Sequence, residues 1–204
     1  MHVIRTVRFY YHEFLRKCYR GRLKRVFSPS TTIISNNCVG ARISQDLHYP
    51  YNSPTVGLYL CYPDYIYFCQ HLKEFIVAPL LFRNNNGGKN YPIGVLEHAG
   101  RTIEIFFLHY KTEDEAREKW TRRCQRVNWN DIYVIGSEVD GCTEKDIIDF
   151  LSLPYSQKIF MSKRDYQIAD GNLFVEEKMG KEDFTNLYSR AELLYKCLCK
   201  KHQL

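Results

Sequence analysis

The chain has 204 residues, 45% hydrophobic and 25% charged, enough to bury a proper core in one domain with a short appendage, and a composition that excludes wholesale disorder. Its net charge of +6 is concentrated at one end: residues 1–30 hold eight cations against Glu13 alone, a local +7, and the other 174 residues sum to −1. A near-neutral body excludes a body-wide nucleic-acid surface, and no run approaches 18 apolar residues, which excludes a membrane span.

Residues 2–25 are expected to form one amphipathic helix, with Val3, Val7, Tyr10 or Tyr11, Phe14 and Tyr19 near helical spacing and arginines between them. Such a basic, aromatic helix can lie on an anionic membrane surface, or pack on the domain or a partner with its charges solvated. Ser28-Pro29-Ser30 breaks it, dividing the chain into a basic helical segment, 1–28, and a single α/β domain, 29–204.

The β-branched run from Thr31 predicts a strand over 31–35, followed by a helix over 38–47 and a second strand over 55–60 after Asn52-Ser53-Pro54. A helix is expected from Pro63 to about Leu80, then an exposed loop at 84–88 and two strands, 93–97 and 102–109, joined across His98-Ala99-Gly100-Arg101. Thr112 and Glu115 form a capping box opening a helix that buries Ala116, Trp120, Cys124 and Val127. Its outer face offers Glu113–Arg117, Glu115–Lys119 and Glu118–Arg122 pairs at four-residue spacing. A strand over 131–136, a Thr143-capped helix over 144–152, strands at 158–162 and 172–176, and a helix over 182–200 complete the pattern. The alternation predicts a mainly parallel, Rossmann-like three-layer α/β sheet, with the 93–109 hairpin adding one antiparallel member to it and a basic helix in front.

In a parallel sheet the loops after the strands gather on one edge, and ligands are held there. Here those loops bring Asn36, Asn37 and Cys38, then His109 and Tyr110, then Asp140 toward one rim. One of the two asparagines can cap the next helix, which leaves the other free for a hydroxyl or phosphate. Cys38 at a helix N-terminus would have its thiolate favoured by the dipole, and paired with His109 it could act as nucleophile and base. Arg123, three positions after Trp120 at the edge of the buried stripe, can point inward at an anion. Asp140, in a turn feeding a helix cap, can hold a sugar hydroxyl or a metal. Sixteen tyrosines suit sugar or base contacts as well as core edges. SNNCVG is neither a Walker loop nor GxGxxG, so no motif indicates a particular cofactor. The eight cysteines show no CxxC pair and no zinc spacing, and without a secretory leader they are expected to be reduced thiols of a cytoplasmic protein.

With these residues laid out, the chain resembles the bacterial domain-of-unknown-function 1919 family, whose members are often labelled exopolysaccharide biosynthesis proteins. The resemblance rests on SNNCVG (35–40), LHYPYNSPTVGLYL (47–60), YPIG (91–94), FLHYKTEDEAREKWTRR (107–123), NWNDIYVI (128–135) and DGCT (140–143). Where family members tend to carry Asp-Arg-Asp-Gly before Cys-Thr, this chain has Ser137-Glu138-Val139-Asp140-Gly141. The resemblance implies a setting, surface-glycan assembly. Within it, the expected function is a transferase acting on a sugar or activated sugar, at the cytoplasmic side and peripheral to the membrane. Asn36, Asn37 and Asn52 would grip hydroxyls, Tyr110 would line the site, His109 would be the base and Arg123 would meet phosphate. The alternatives are a Cys38–His109 glycan acyltransferase or esterase with Asp140, and a non-catalytic module docking on membrane glycosyltransferases through residues 2–25.

Overall fold

A computed structural model describes residues 2–139, 141–176 and 187–204. In chain order the elements are α1 (His2–Leu23), β1 (Thr32–Ser35), α2 (Val39–Leu47), α3 (Asp64–Gln70), α4 (Leu72–Phe75), β2 (Leu81–Phe82), β3 (Ile93–His98) and β4 (Arg101–Phe106). They continue with α5 (Glu113–Cys124), β5 (Ile132–Ser137), α6 (Glu144–Leu151), β6 (Gln157–Ser162), β7 (Leu173–Val175) and α7 (Ala191–Lys201). The architecture is α/β, with a four-stranded parallel sheet ordered β1-β5-β6-β7 beside a separate three-stranded antiparallel sheet ordered β2-β3-β4. All four residues of β1 are buried, as are the last five of β5 and β6, which is why these segments read as near-continuous apolar runs. One apolar cluster unites Leu23 and Phe27 with Ile34, Tyr65, Ile105, Trp120, Val134, Phe160 and Leu194, so both sheets and the end of α1 share a core.

Three sequence expectations are corrected. Residues 55–60 are not a strand of the parallel sheet, because Gly57 takes φ 77° and breaks the extended run. Only Tyr59 pairs, exchanging two 2.9 Å backbone bonds with Phe106, so the segment ties the two sheets together and β5 takes the place beside β1. The β3–β4 hairpin, closed by Ala99 and Gly100 at φ 50° and 76°, joins β2 and not the parallel sheet. The helix expected from Pro63 to Leu80 is two short ones, parted at His71, whose ring lies 4.5 Å from that of Tyr67 and 4.6 Å from that of His98.

Thr143 closes a full capping box with Asp146 on α6. On α5 the box is incomplete: Thr112 accepts from the Glu115 amide, but the Glu115 carboxylate takes the amide of Lys111 at 3.2 Å. The expected C-terminal helix is α7 over 191–201, and its predicted start at 182 falls outside the described residues. The second half of α1 packs on α2 and α7. Arg16, buried, donates to Asp46 at 3.0 Å, and the Tyr195 hydroxyl donates to the same oxygen at 2.8 Å. Among the described residues no helix is long and apolar enough to cross a membrane.

Candidate functional site

The packing of α2 against β1 begins the site. A Cβ on Gly40 would stand 2.7 Å from the Ser35 hydroxyl oxygen, so only glycine lets the helix approach the strand this closely. The amide of Gly40 donates to the Ser35 hydroxyl at 3.2 Å, and that of Val39 donates to Asn37 Oδ1 at 3.0 Å. Two leading donors of α2 are thus satisfied by the protein itself.

Asn36 and Asn37 are fully committed inside the fold. Asn36 Nδ2 donates to the Ser137 carbonyl at 3.1 Å and its Oδ1 accepts from the Ser137 hydroxyl, while Asn37 Nδ2 donates to that hydroxyl oxygen at 2.8 Å. Both are buried, so they stitch the carboxyl end of β1 to that of β5 and close the crevice where a doubly wound sheet would hold its ligand. Asn52 donates to the Pro29 carbonyl at 2.8 Å and bears on the entry to β1. None of the three asparagines lines the cleft that gathers the remaining candidates. Asp140 lies outside the described residues. The neighbouring Glu138 is buried and accepts from the Ser162 hydroxyl, the Lys163 amide and the Tyr166 hydroxyl, so this acid organises a turn.

The other four residues do meet. Cys38, His109, Tyr110 and Arg123 line one cleft of about 300 Å³, together with Gln45, Tyr51, Gly57, Glu115, Lys119 and Tyr188. That volume suits a small ligand. Three other clefts, of about 410, 420 and 320 Å³, are larger, but this one gathers a buried cation, an imidazole and a thiol, which none of those three does. It sits on the flank of β1, between α2, the 51–57 segment, the turn after β4 and the inner face of α5.

Arg123 is its electrostatic centre. The side chain is 9% exposed, its Nη1 donates to the Val56 carbonyl at 2.8 Å and to the Tyr110 hydroxyl oxygen, and its guanidinium lies 5.4 Å from the Tyr51 ring centre. Tyr110 in turn donates to the Val56 carbonyl at 2.6 Å. Burial pushes the Tyr110 hydroxyl above its ordinary pKa, against the pull of the adjacent guanidinium, so it stays a neutral donor. A Cβ on Gly57 would lie 3.1 Å from the Tyr110 ring at a φ of 77°, so glycine is required for this anchor. Among the described residues no carboxylate lies within 4 Å of the Arg123 guanidinium, and its Nε and Nη2 make no hydrogen bond. Lys119, one turn earlier on the same face, is half-buried and without the Glu115 partner that spacing suggested, since Glu115 turns to Lys111. Of the three pairs expected on α5, Glu118–Arg122 forms, at 2.9 Å.

Cys38 faces the same space, but burial pushes its thiol up to about 11, and its Sγ is 4.0 Å from the Leu58 carbonyl oxygen. Desolvation therefore outweighs any pull from the helix N-terminus, opposite to what a nucleophilic thiolate needs. His109 is exposed at the mouth, its amide donating to the Gly57 carbonyl at 3.2 Å and its imidazole making no hydrogen bond among the described residues. No three His, Cys, Asp or Glu side chains converge on a common point among the described residues. Gln45, Tyr51, Lys119 and Tyr188 were not singled out from sequence. The 115-119-123 spacing was the readable signal for Lys119, because it places all three residues on one helical face with Arg123. Tyr188 arrives from far along the chain, its hydroxyl donating to Gln45 at 2.8 Å, and has no local signal.

An α/β fold with a small cationic cleft on the flank of its parallel sheet defines the class. The chain belongs to the family described as domain of unknown function 1919, whose model matches residues 8–200. It is similar to a Haemophilus influenzae protein described as uncharacterized, 38% identical over 143 residues. The match covers 70% of this chain and 66% of that protein, slightly under two thirds of the relative's own length.

Proposed function

We propose that the Arg123 cleft binds the phosphate end of an activated sugar, and that the protein is a transferase of surface-polysaccharide assembly. The observation that carries the reading is the buried Arg123 guanidinium, which has no acidic partner among the described residues, beside Lys119, which has none among them either. A buried charge is costly unless paired, and a fork with two free edges suits phosphate oxygens. Tyr51, Tyr188 and Gln45 line the same cleft, and aromatic and amide side chains are of the kind that contact sugars. The family resemblance supports the glycan setting.

In this reading an acceptor hydroxyl attacks the anomeric carbon as the bond to the phosphate oxygen breaks. The electron pair leaves with the phosphate, where Arg123 and Lys119 hold the charge, and the His109 imidazole takes the hydroxyl proton. Cys38, as a neutral thiol, contributes shape. The acyl-transfer alternative is disfavoured by that protonation state.

Calorimetric titration with nucleoside diphosphate sugars, sugar 1-phosphates and the matching free sugars tests this. Phosphate-bearing ligands should bind, free sugars should not, and Arg123→Met and Lys119→Met should weaken binding. Equal affinity for free and phosphorylated sugars would overturn the reading.

A further inference from the structure

Over Val7 to Arg16, α1 turns His12 and Arg16 to the body and a stripe of large apolar and aromatic side chains to water. His12 Nδ1 pairs with Glu192 at 2.8 Å and Arg16 with Asp46 at 3.0 Å, fixing the inner face. Val7, Tyr10, Tyr11 and Phe14, at three- and four-residue spacing, form one outward stripe and are 63%, 62%, 58% and 64% exposed. Among the described residues, the ring–ring contacts of Tyr10, Tyr11 and the adjacent exposed Phe9 lie within the helix, Phe9 against Tyr10 and Tyr11 against His12. An aromatic stripe of this size facing solvent is not how a surface helix of a self-contained domain is arranged.

Charge says what covers it. The stripe belongs to the +7 segment, and Arg22, Lys24 and Arg25 are exposed at the end of α1 and just beyond it. A second copy of the chain would bring one cationic segment against another, whereas an anionic surface complements it. We propose that α1 lies in the interface of an anionic lipid bilayer, with Tyr10, Tyr11 and Phe14 among the headgroups and the cations beside them. This docking is independent of what the cleft binds.

Deleting the segment is not the test, because Leu23 and Phe27 are core and Arg16 neutralises the buried Asp46. The exposed side chains can be changed without touching the body. The full chain should co-sediment with phosphatidylglycerol–phosphatidylcholine vesicles and not with phosphatidylcholine alone. Binding should fall steeply as added salt shortens the screening length from about 10 Å to about 3 Å. Tyr10→Ser with Phe14→Ser should weaken it about 100-fold, and Lys24→Gln with Arg25→Gln about 25-fold, with circular dichroism unchanged. Equal binding to both vesicle types, undiminished binding by the serine variant, or a concentration-dependent dimer in sedimentation that the serine variant abolishes would each overturn the proposal.

Discussion

Replacing Arg123 by Met separates a guanidinium held for a ligand from one held for the fold. The substitution removes two hydrogen bonds from a charged donor, each worth about 1.5–3 kcal/mol. It strands no partner, because the Val56 carbonyl keeps the Tyr110 hydroxyl at 2.6 Å and that hydroxyl keeps its acceptor. It also relieves the desolvation of a cation that is 9% exposed and has no carboxylate partner among the described residues, a gain of several kcal/mol. The two terms oppose each other at similar size, so stability should move by no more than about 2 kcal/mol in either direction. For a chain of this length that is a Tm shift within about 8 °C. The ligand response should change far more. A sugar 1-phosphate at about 100 times its Kd stabilises the wild type by about 2.7 kcal/mol. Loss of a charge-assisted fork weakens binding about 10- to 150-fold and removes about half to nine-tenths of that stabilisation. Differential scanning fluorimetry with and without the ligand reads both quantities. A Tm loss well beyond about 10 °C in the ligand-free variant, or an undiminished ligand shift, would refute the reasoning.

Other outcomes follow from the same geometry. With its thiol held up at about 11 by burial, Cys38 at pH 8 should be alkylated about 100-fold more slowly than an ordinary thiol of pKa 9.0, as mass spectrometry of the modified peptide would show. Fast labelling would revive the nucleophile. The half-buried thiols of Cys38 and Cys142, raised by desolvation to about 11 and about 12, bind their protons more tightly in the folded chain, so their stability contribution is full below pH 9 and lost as pH rises through the folded values. Melting temperature should therefore decline from pH 9 upward, and a flat profile to pH 11 would contradict this. Gly57→Ala adds a Cβ at φ 77° and 3.1 Å from the Tyr110 ring, and should cost about 1–3 kcal/mol and weaken phosphate-ligand binding together. Urea unfolding checks the first, and a wild-type denaturation midpoint would count against the Tyr110–Arg123 anchor.

Much of the architecture was written in local patterns. The β-branched run of β1, the Thr112 and Thr143 caps and the stripe ending in Trp120 and Cys124 each state their element within a few residues. Partner choice was not local. Residues 55–60 carry strand-like composition, but the positive φ at Gly57 and the single pairing of Tyr59 with Phe106 are set by the second sheet. The site divided along the same line. Arg123 and His109 were legible as chemistry near a stripe edge and a strand end. Asn36 and Asn37 looked equally inviting, yet Ser137, a hundred residues away, consumes their amides. Lys119 looked paired, and only the turn of Glu115 toward Lys111 frees it.

The most direct test of the central claim is a crystal structure of the full chain soaked with a nucleoside diphosphate sugar. The account predicts phosphate oxygens within hydrogen-bond distance of Arg123 Nε and Nη2 and of Lys119 Nζ, with the sugar toward Tyr51, Tyr188 and His109. Phosphate density elsewhere on the molecule, with the Arg123 cleft holding water alone at saturating ligand, would contradict it.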